Sequence, residues 1–227
     1  MRQLHPVGWS ERFVASGVYL TYEDARPTGA VERWTVHELP DGAQIARVDR
    51  QGAGRDDVLL IEAWRSPPAE GGRVERFDLQ AVGPARMRAS YILYPDRLEF
   101  SLRPDGGDER HDALPLPDGA LADPGGWLFA GEIAARAASR GPAAVVTVDP
   151  AAFQPLVTTR TARQTGVEPV TIGPETLAAR VYNVEWTGGA PTTLWLDDHD
   201  VALRCMGGAL TALLSQYVRR PESRRHD

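Results

Sequence analysis

Residues Thr192–Met206 read T-T-L-W-L-D-D-H-D-V-A-L-R-C-M. Leu194, Trp195 and Leu196 run into a polar turn at Asp197–Asp200, and Val201, Ala202 and Leu203 run out of it. Two short apolar runs around such a turn predict a two-stranded hairpin. The same grammar recurs along the chain. Strands are predicted at Gly17–Tyr22, Val31–Glu38, Gln44–Arg50, Val58–Trp64, Arg73–Val82, Met87–Tyr94, Arg97–Arg103, Ala144–Val148, Leu156–Arg163 and Leu177–Trp186. Turns are predicted at Pro27–Gly29, Pro40–Gly42, Gly52–Asp56, Pro67–Gly72 and Gly188–Pro191. Leu98, Phe100 and Leu102 alternate with Arg97, Glu99, Ser101 and Arg103 without error, the pattern of a strand with one face on the core and one in water. Val58–Trp64 is apolar on both faces, as a covered central strand would be.

One segment carries full helix punctuation. Asp123 reads as the N-cap, Pro124 as the first helical residue and Gly141-Pro142 as the stop, which predicts a helix over 124–140. Residues 104–119 are rich in Pro, Gly and Asp and read as a long loop. Ala209–Val218 fits helical spacing at Leu210, Leu213, Leu214, Tyr217 and Val218, and also tolerates a strand. The predicted fold class is mainly β, a β-rich α+β: a strongly curved antiparallel sheet around one principal helix. The predicted organisation is a single domain over 1–218 and an Arg-rich tail over 219–227 (Arg219, Arg220, Arg224, Arg225).

Composition narrows the function by exclusion. The 227 residues suit one β-rich domain. A net charge of −6 gives no overall pull toward nucleic acid. No apolar run approaches the ~20 residues a membrane-spanning helix needs, and the N-terminus shows no apolar leader, so a cytoplasmic protein without membrane insertion is expected. All 25 basic residues are Arg. Without Lys there is no Schiff base, covalent pyridoxal site or Walker-A lysine. The lone Cys205 cannot form an internal disulfide, and its place in an apolar strand suggests a small buried hydrophobe.

The motifs are weak. Gly52-Ala53-Gly54 begins like a dinucleotide fingerprint but lacks the third glycine and a following helix. Asp197, Asp198, His199 and Asp200 form the densest group of potential metal ligands. Their spacing matches no EF-hand, and a solvated turn accounts for them better. No metal or cofactor is expected. No G-x-S-x-G elbow or HExxH pair occurs. Glu99 reads as a solvent-face charge. Glu132 in the helix faces solvent or, if turned inward, pairs with Arg. Trp34, Trp64, Trp127, Trp186 and Trp195 read as core, with some available to line an apolar pocket.

Many antiparallel strands, one helix after about half the chain, and a late T-L-W-L-D…V-A-L-R hairpin resemble the half-barrel proteins. These include the bacterial lipoprotein-localisation carriers and uncharacterised relatives. The resemblance implies a bent sheet wrapping a helix, with a hollow that holds acyl chains in the carriers. It brings no catalytic motif, and it favours a closing strand over Ala209–Val218. The carriers are exported, and this sequence shows no export signal. Three readings follow. The first is a non-catalytic protein that holds a lipid-like ligand, with Trp127, Phe129 and Phe100 lining the pocket and Tyr91 and Trp195 beside them. The second is an enzyme whose polar site in the same cleft has no sequence motif. The third is an interaction module without a small ligand, such as a homodimer using a strand edge or the Arg219–Arg225 tail.

Overall fold

A computed structural model describes residues 1–54, 57–83 and 86–221. Among them, fifteen strands form one sheet. The first half runs β1 (Arg12–Glu23), β2 (Arg26–Glu38), β3 (Gln44–Gln51), β4 (Val58–Arg65), β5 (Val74–Val82), β6 (Met87–Leu93), β7 (Arg97–Pro104) and β8 (Arg110–Pro115). The second half runs β9 (Leu121–Asp123), helix α1 (Trp127–Arg140), β10 (Ala143–Val148), β11 (Pro155–Ile172), β12 (Glu175–Trp186), β13 (Thr192–Leu196), β14 (Ala202–Gly207) and β15 (Leu210–Arg219). The spatial order is β8 to β1 in sequence-reversed order, then β15 to β9. Each half is a chain of neighbouring strands, and the β1–β15 pair joins the halves. The β9–β10 pair is parallel, with α1 as its crossover, and every other pair is antiparallel. The sheet is strongly curved but not closed, with β8 and β9 as its edges.

The curvature has local causes. β1 shifts register against β2 between Phe13 and Ala15 and between Leu20 and Tyr22, and against β15 between Val18 and Tyr19. Bulges bend a strand and tighten its twist, and β1 concentrates three of them at the centre of the sheet. Gly17, opposite Trp34, lets that ring lie across the strand; a Cβ would stand 2.6 Å from the indole.

The core lies between the inner face of the sheet and α1. Trp34, Val48, Ile61, Phe77, Tyr91 and Leu98 are buried there, with Leu128 and Phe129 of the helix. Phe77, Tyr91 and Phe100 face one another across β5, β6 and β7, with ring centroids 4.4 and 6.2 Å apart. A second cluster joins Ala134 of α1 to Tyr182, Leu194, Leu196 and Cys205. Cys205 is the small buried hydrophobe expected, and burial pushes its thiol well above the ordinary range.

Several boundaries differ from expectation. Pro27–Gly29 is not the first turn; the chain reverses at Asp24 and Ala25, both with positive φ, and Pro27 already pairs with Tyr22. Thr28 Oγ1 donates to the Thr21 carbonyl at 3.0 Å and stabilises that start of β2. The helix begins at Trp127, because the Asp123 carboxylate accepts from the Gly125 amide and Arg160 instead of capping α1. Residues 110–115 of the expected loop form edge strand β8. Ala209–Val218 resolves as strand β15, Leu210–Arg219. Arg219 is therefore the last residue of the sheet, and the Arg220 amide donates to the Val14 carbonyl. Arg224 and Arg225 of the predicted tail, like Arg55 and Asp56 of the predicted loop, lie outside the described residues.

Candidate functional site: a hollow beside the helix

Helix α1 is seated by the hairpin of β13 and β14. At Gly131 a Cβ would collide with the Asp200 carbonyl, so glycine is what allows the turn to meet the helix. The turn itself is built, not merely solvated. Asp197 Oδ1 accepts from the amides of His199 and Val201 at 2.9 and 2.8 Å, and Oδ2 accepts from the Tyr217 hydroxyl at 2.7 Å. Arg180 donates to the Asp197 carbonyl and, at 2.8 Å, to Asp200 Oδ1. Asp197 is thus buried, which corrects the expectation of a solvated turn, while Asp198 and His199 are exposed. Its carboxylate satisfies buried backbone donors, which would otherwise carry a desolvation cost. Among the described residues no three His, Cys, Asp or Glu side chains converge as metal ligands.

Beside the helix lies an open hollow of about 400 Å³. One wall is Trp127, Ala130, Ile133 and Ala134 of α1. The others are Leu59 and Leu79 from the first half of the sheet, and Val148, Phe153, Val184 and Leu194 from the second. Its polar groups gather where the chain enters the helix. Arg160 donates to Asp123 Oδ2 at 2.5 Å and lies over the Trp186 ring, 5.2 Å from the centroid. The exposed Arg50 donates to the Gly125 carbonyl at 3.1 Å. Trp186 is partly exposed, and its Nε1 donates to the Ala190 carbonyl at 2.7 Å.

Of the five residues singled out from sequence, Trp127 lines the hollow. The other four lie off its wall. Phe129 points under the helix into the core, with Arg65 over its ring at 5.2 Å. Tyr91 is fully buried in the aromatic stack; its hydroxyl donates to the carbonyl of Phe153 at 2.5 Å, so it supports a wall residue. Phe100 ends that stack. Trp195 is turned away from the helix. Its strand neighbours Leu194 and Leu196 take the helix side, and alternation sends Trp195 to the opposite face. There its Nε1 donates to Glu168 at 2.7 Å and Arg204 stacks on its ring at 4.7 Å.

One buried acid carries no motif in the sequence. Glu32 shares the inner face of β2 with Trp34 and is 2 % exposed. Its Oε1 accepts from the Leu128 amide at 3.3 Å, at the N-terminus of α1, and its Oε2 is buried without a partner. Burial pushes its carboxyl up to about 7, partly offset by the charge of Arg50 and the helix amides. The signal was in the strand parity: a residue two before Trp34 must share its face. Glu132 is ion-paired, 2.8 Å from Arg136 and 3.4 Å from Arg65. Glu99 is the half-exposed charge expected, 2.8 Å from Arg97.

No helix among the described residues is long and apolar enough to cross a membrane. No family model matches the chain, and no curated protein is similar to it. Its fold is similar to the crystal structure of a beta-barrel-like protein of Domain of Unknown Function DUF1849 from Brucella abortus. The TM-score is 0.52 at 10% sequence identity, over 95% of this chain and 100% of that one. At that identity the likeness shows the fold alone: a mainly β, barrel-like architecture in which a curved sheet holds one helix.

Proposed function

We propose that the protein is a non-catalytic binding protein that takes an apolar, lipid-like ligand into the hollow beside α1. The observation that carries this reading is the hollow itself: about 400 Å³, partly open, walled by helix and sheet with Trp127, Ile133, Leu59, Leu79, Phe153 and Leu194. That size lies within the range of small-molecule sites, and the lining has their usual character: mostly apolar, with a few polar groups at one place. The resemblance of the element order to the lipoprotein-localisation carriers supports an acyl chain as the ligand. Affinity would come from apolar area removed from water, at roughly 25 cal/mol per Å² before the entropic costs of binding.

The enzyme reading has one observation in its favour, the near-neutral carboxyl of Glu32. Glu32 lies beneath the first turn of α1 and not on the wall of the hollow, which favours a structural role. The test is binding of a fluorescent apolar probe by the purified protein, with native mass spectrometry for any carried ligand. Ala130→Trp places an indole in the hollow from a partly exposed helix position. It is expected to weaken probe binding at least about tenfold, a difference of about 1.4 kcal/mol. A protein that binds no probe, or an Ala130→Trp variant that binds as before, overturns the proposal.

A further inference from the structure

We propose that the ligand of the hollow is an amphiphile with an anionic head group, a carboxylate held at the mouth by Arg50 and Arg160 while the alkyl chain lies along α1. This rests on the reading of the hollow as an apolar-ligand site and adds the chemistry of the head. Three observations converge on it.

First, the charges at the mouth do not cancel within the wall. Two guanidiniums and one carboxylate line it, and the carboxylate of Asp123 is already engaged by Arg160 and by the Gly125 amide at 2.9 Å. Arg50 is exposed and makes one hydrogen bond, to a backbone carbonyl. Among the described residues no carboxylate forms an ion pair with it, and the buried Glu32 opposite it across β2 and β3 feels its charge without a direct contact. Second, Arg160 is nine-tenths buried and its Nε has no acceptor. The Trp186 ring and Asp123 hold its plane in place, and a planar fork of donors suits a carboxylate. Third, the same mouth is formed by Pro124, Gly125 and Gly126, the entry to α1. The helix has no acidic residue in its own first turn, and its first amides meet the buried Glu32 at 3.3 Å, so part of its positive end is left to the mouth. A cationic head would meet two guanidiniums and a helix N-terminus. A neutral head would leave the extra charge to water.

Equilibrium binding of dodecanoate, dodecanol and dodecyltrimethylammonium, each below its micellar concentration, separates the head from the chain. Dodecanoate is expected to bind roughly tenfold more tightly than dodecanol, the scale of one charge-assisted contact, and the ammonium more weakly than either. Arg50→Gln, at an exposed side chain, is expected to bring dodecanoate to within about twofold of dodecanol. An Arg160→Gln, Asp123→Asn double variant removes the second guanidinium without stranding its partner's charge, and is expected to lower the same preference. Equal affinity for dodecanoate and dodecanol, or a preference that survives both variants, overturns the assignment of the head group and leaves the apolar hollow standing. Failure of all three probes to bind overturns the reading of the hollow, and this inference with it.

Discussion

The two faces of strands β2, β3 and β4 bury acids in opposite ways. On the inner face, Glu32 sits under the helix opposite Arg50 but with no guanidinium hydrogen-bonded to it, and burial raises its pKa to about 7. On the outer face, residues 1–11 lie over a network of charges. Arg47 donates to both oxygens of Glu11 at 2.6 and 2.9 Å and lies 3.6 Å from Glu62. His5 meets Glu62 at 3.3 Å, and Arg2 meets Asp49 at 2.9 Å. The Arg47 hydrogen bonds hold Glu11 below the usual carboxylate range despite its burial. Burial therefore does not fix the charge state of an acid here; a guanidinium within reach does. The inner acid is a cost carried at the helix end, and the outer acids are the fastening of the N-terminal segment.

Four changes break or sharpen this contrast. Arg47→Met has the largest expected effect. It leaves Glu11 and Glu62 buried without their shared cation, which costs about 3–5 kcal/mol. Urea denaturation reads it, and a loss below about 1 kcal/mol would show that the network does not fasten the segment.

Glu32→Gln comes next, and its sign depends on pH. A raised folded-state pKa gives stability that is complete below the ordinary value of 4.5 and is lost as pH rises through about 7. Glu11 runs the other way, its contribution present above 4.5 and lost as pH falls through its lowered pKa. Glu32→Gln is therefore expected to gain about 2 kcal/mol over the parent protein at pH 8, with most of that gain gone near pH 5. Parallel melts at both pH values check it, and equal offsets would place the effect in packing and not in charge.

Tyr217→Phe removes the donor to the buried Asp197 and is expected to cost about 1 kcal/mol, read from the same denaturation curves. Trp9→Ala probes the far end of the scale. Trp9 is fully exposed although it belongs to the N-terminal segment, so its loss should stay within about 0.5 kcal/mol. A larger loss would mean that the segment is held by apolar packing as well as by charge.

Legibility in the sequence followed burial. Strands β3, β4, β5, β6 and β7 were readable because their side chains meet water on one face or on neither. The same holds for the β13–β14 hairpin. β8 reads as loop because its residues face solvent almost throughout, and an edge strand defended by Arg110, His111, Asp112 and Pro115 has no apolar alternation to show. The far half of β11 escaped for the same reason: residues 164–171 are largely exposed and include Gly166 and Pro169. The hollow was legible only through Trp127. Core and pocket draw on the same apolar side chains, and Phe129, Tyr91 and Phe100 were taken into packing by partners that the sequence does not display. Arg50, Asp123 and Arg160 meet across more than a hundred residues of chain, a proximity no local pattern carries.

The β1–β15 pair sets the timing of assembly. Strands β2 to β8 can each pair with the strand made just before, as can β11 to β15, so most of the sheet assembles from short loops. The pairing of Ala15 with Arg219 closes a loop of nearly the whole chain. During synthesis β1 therefore waits with one edge unpaired until the last strand has left the ribosome. An unpaired edge is a template for other chains, so the interval in which this sheet is most open to aggregation ends only when β15 pairs with β1.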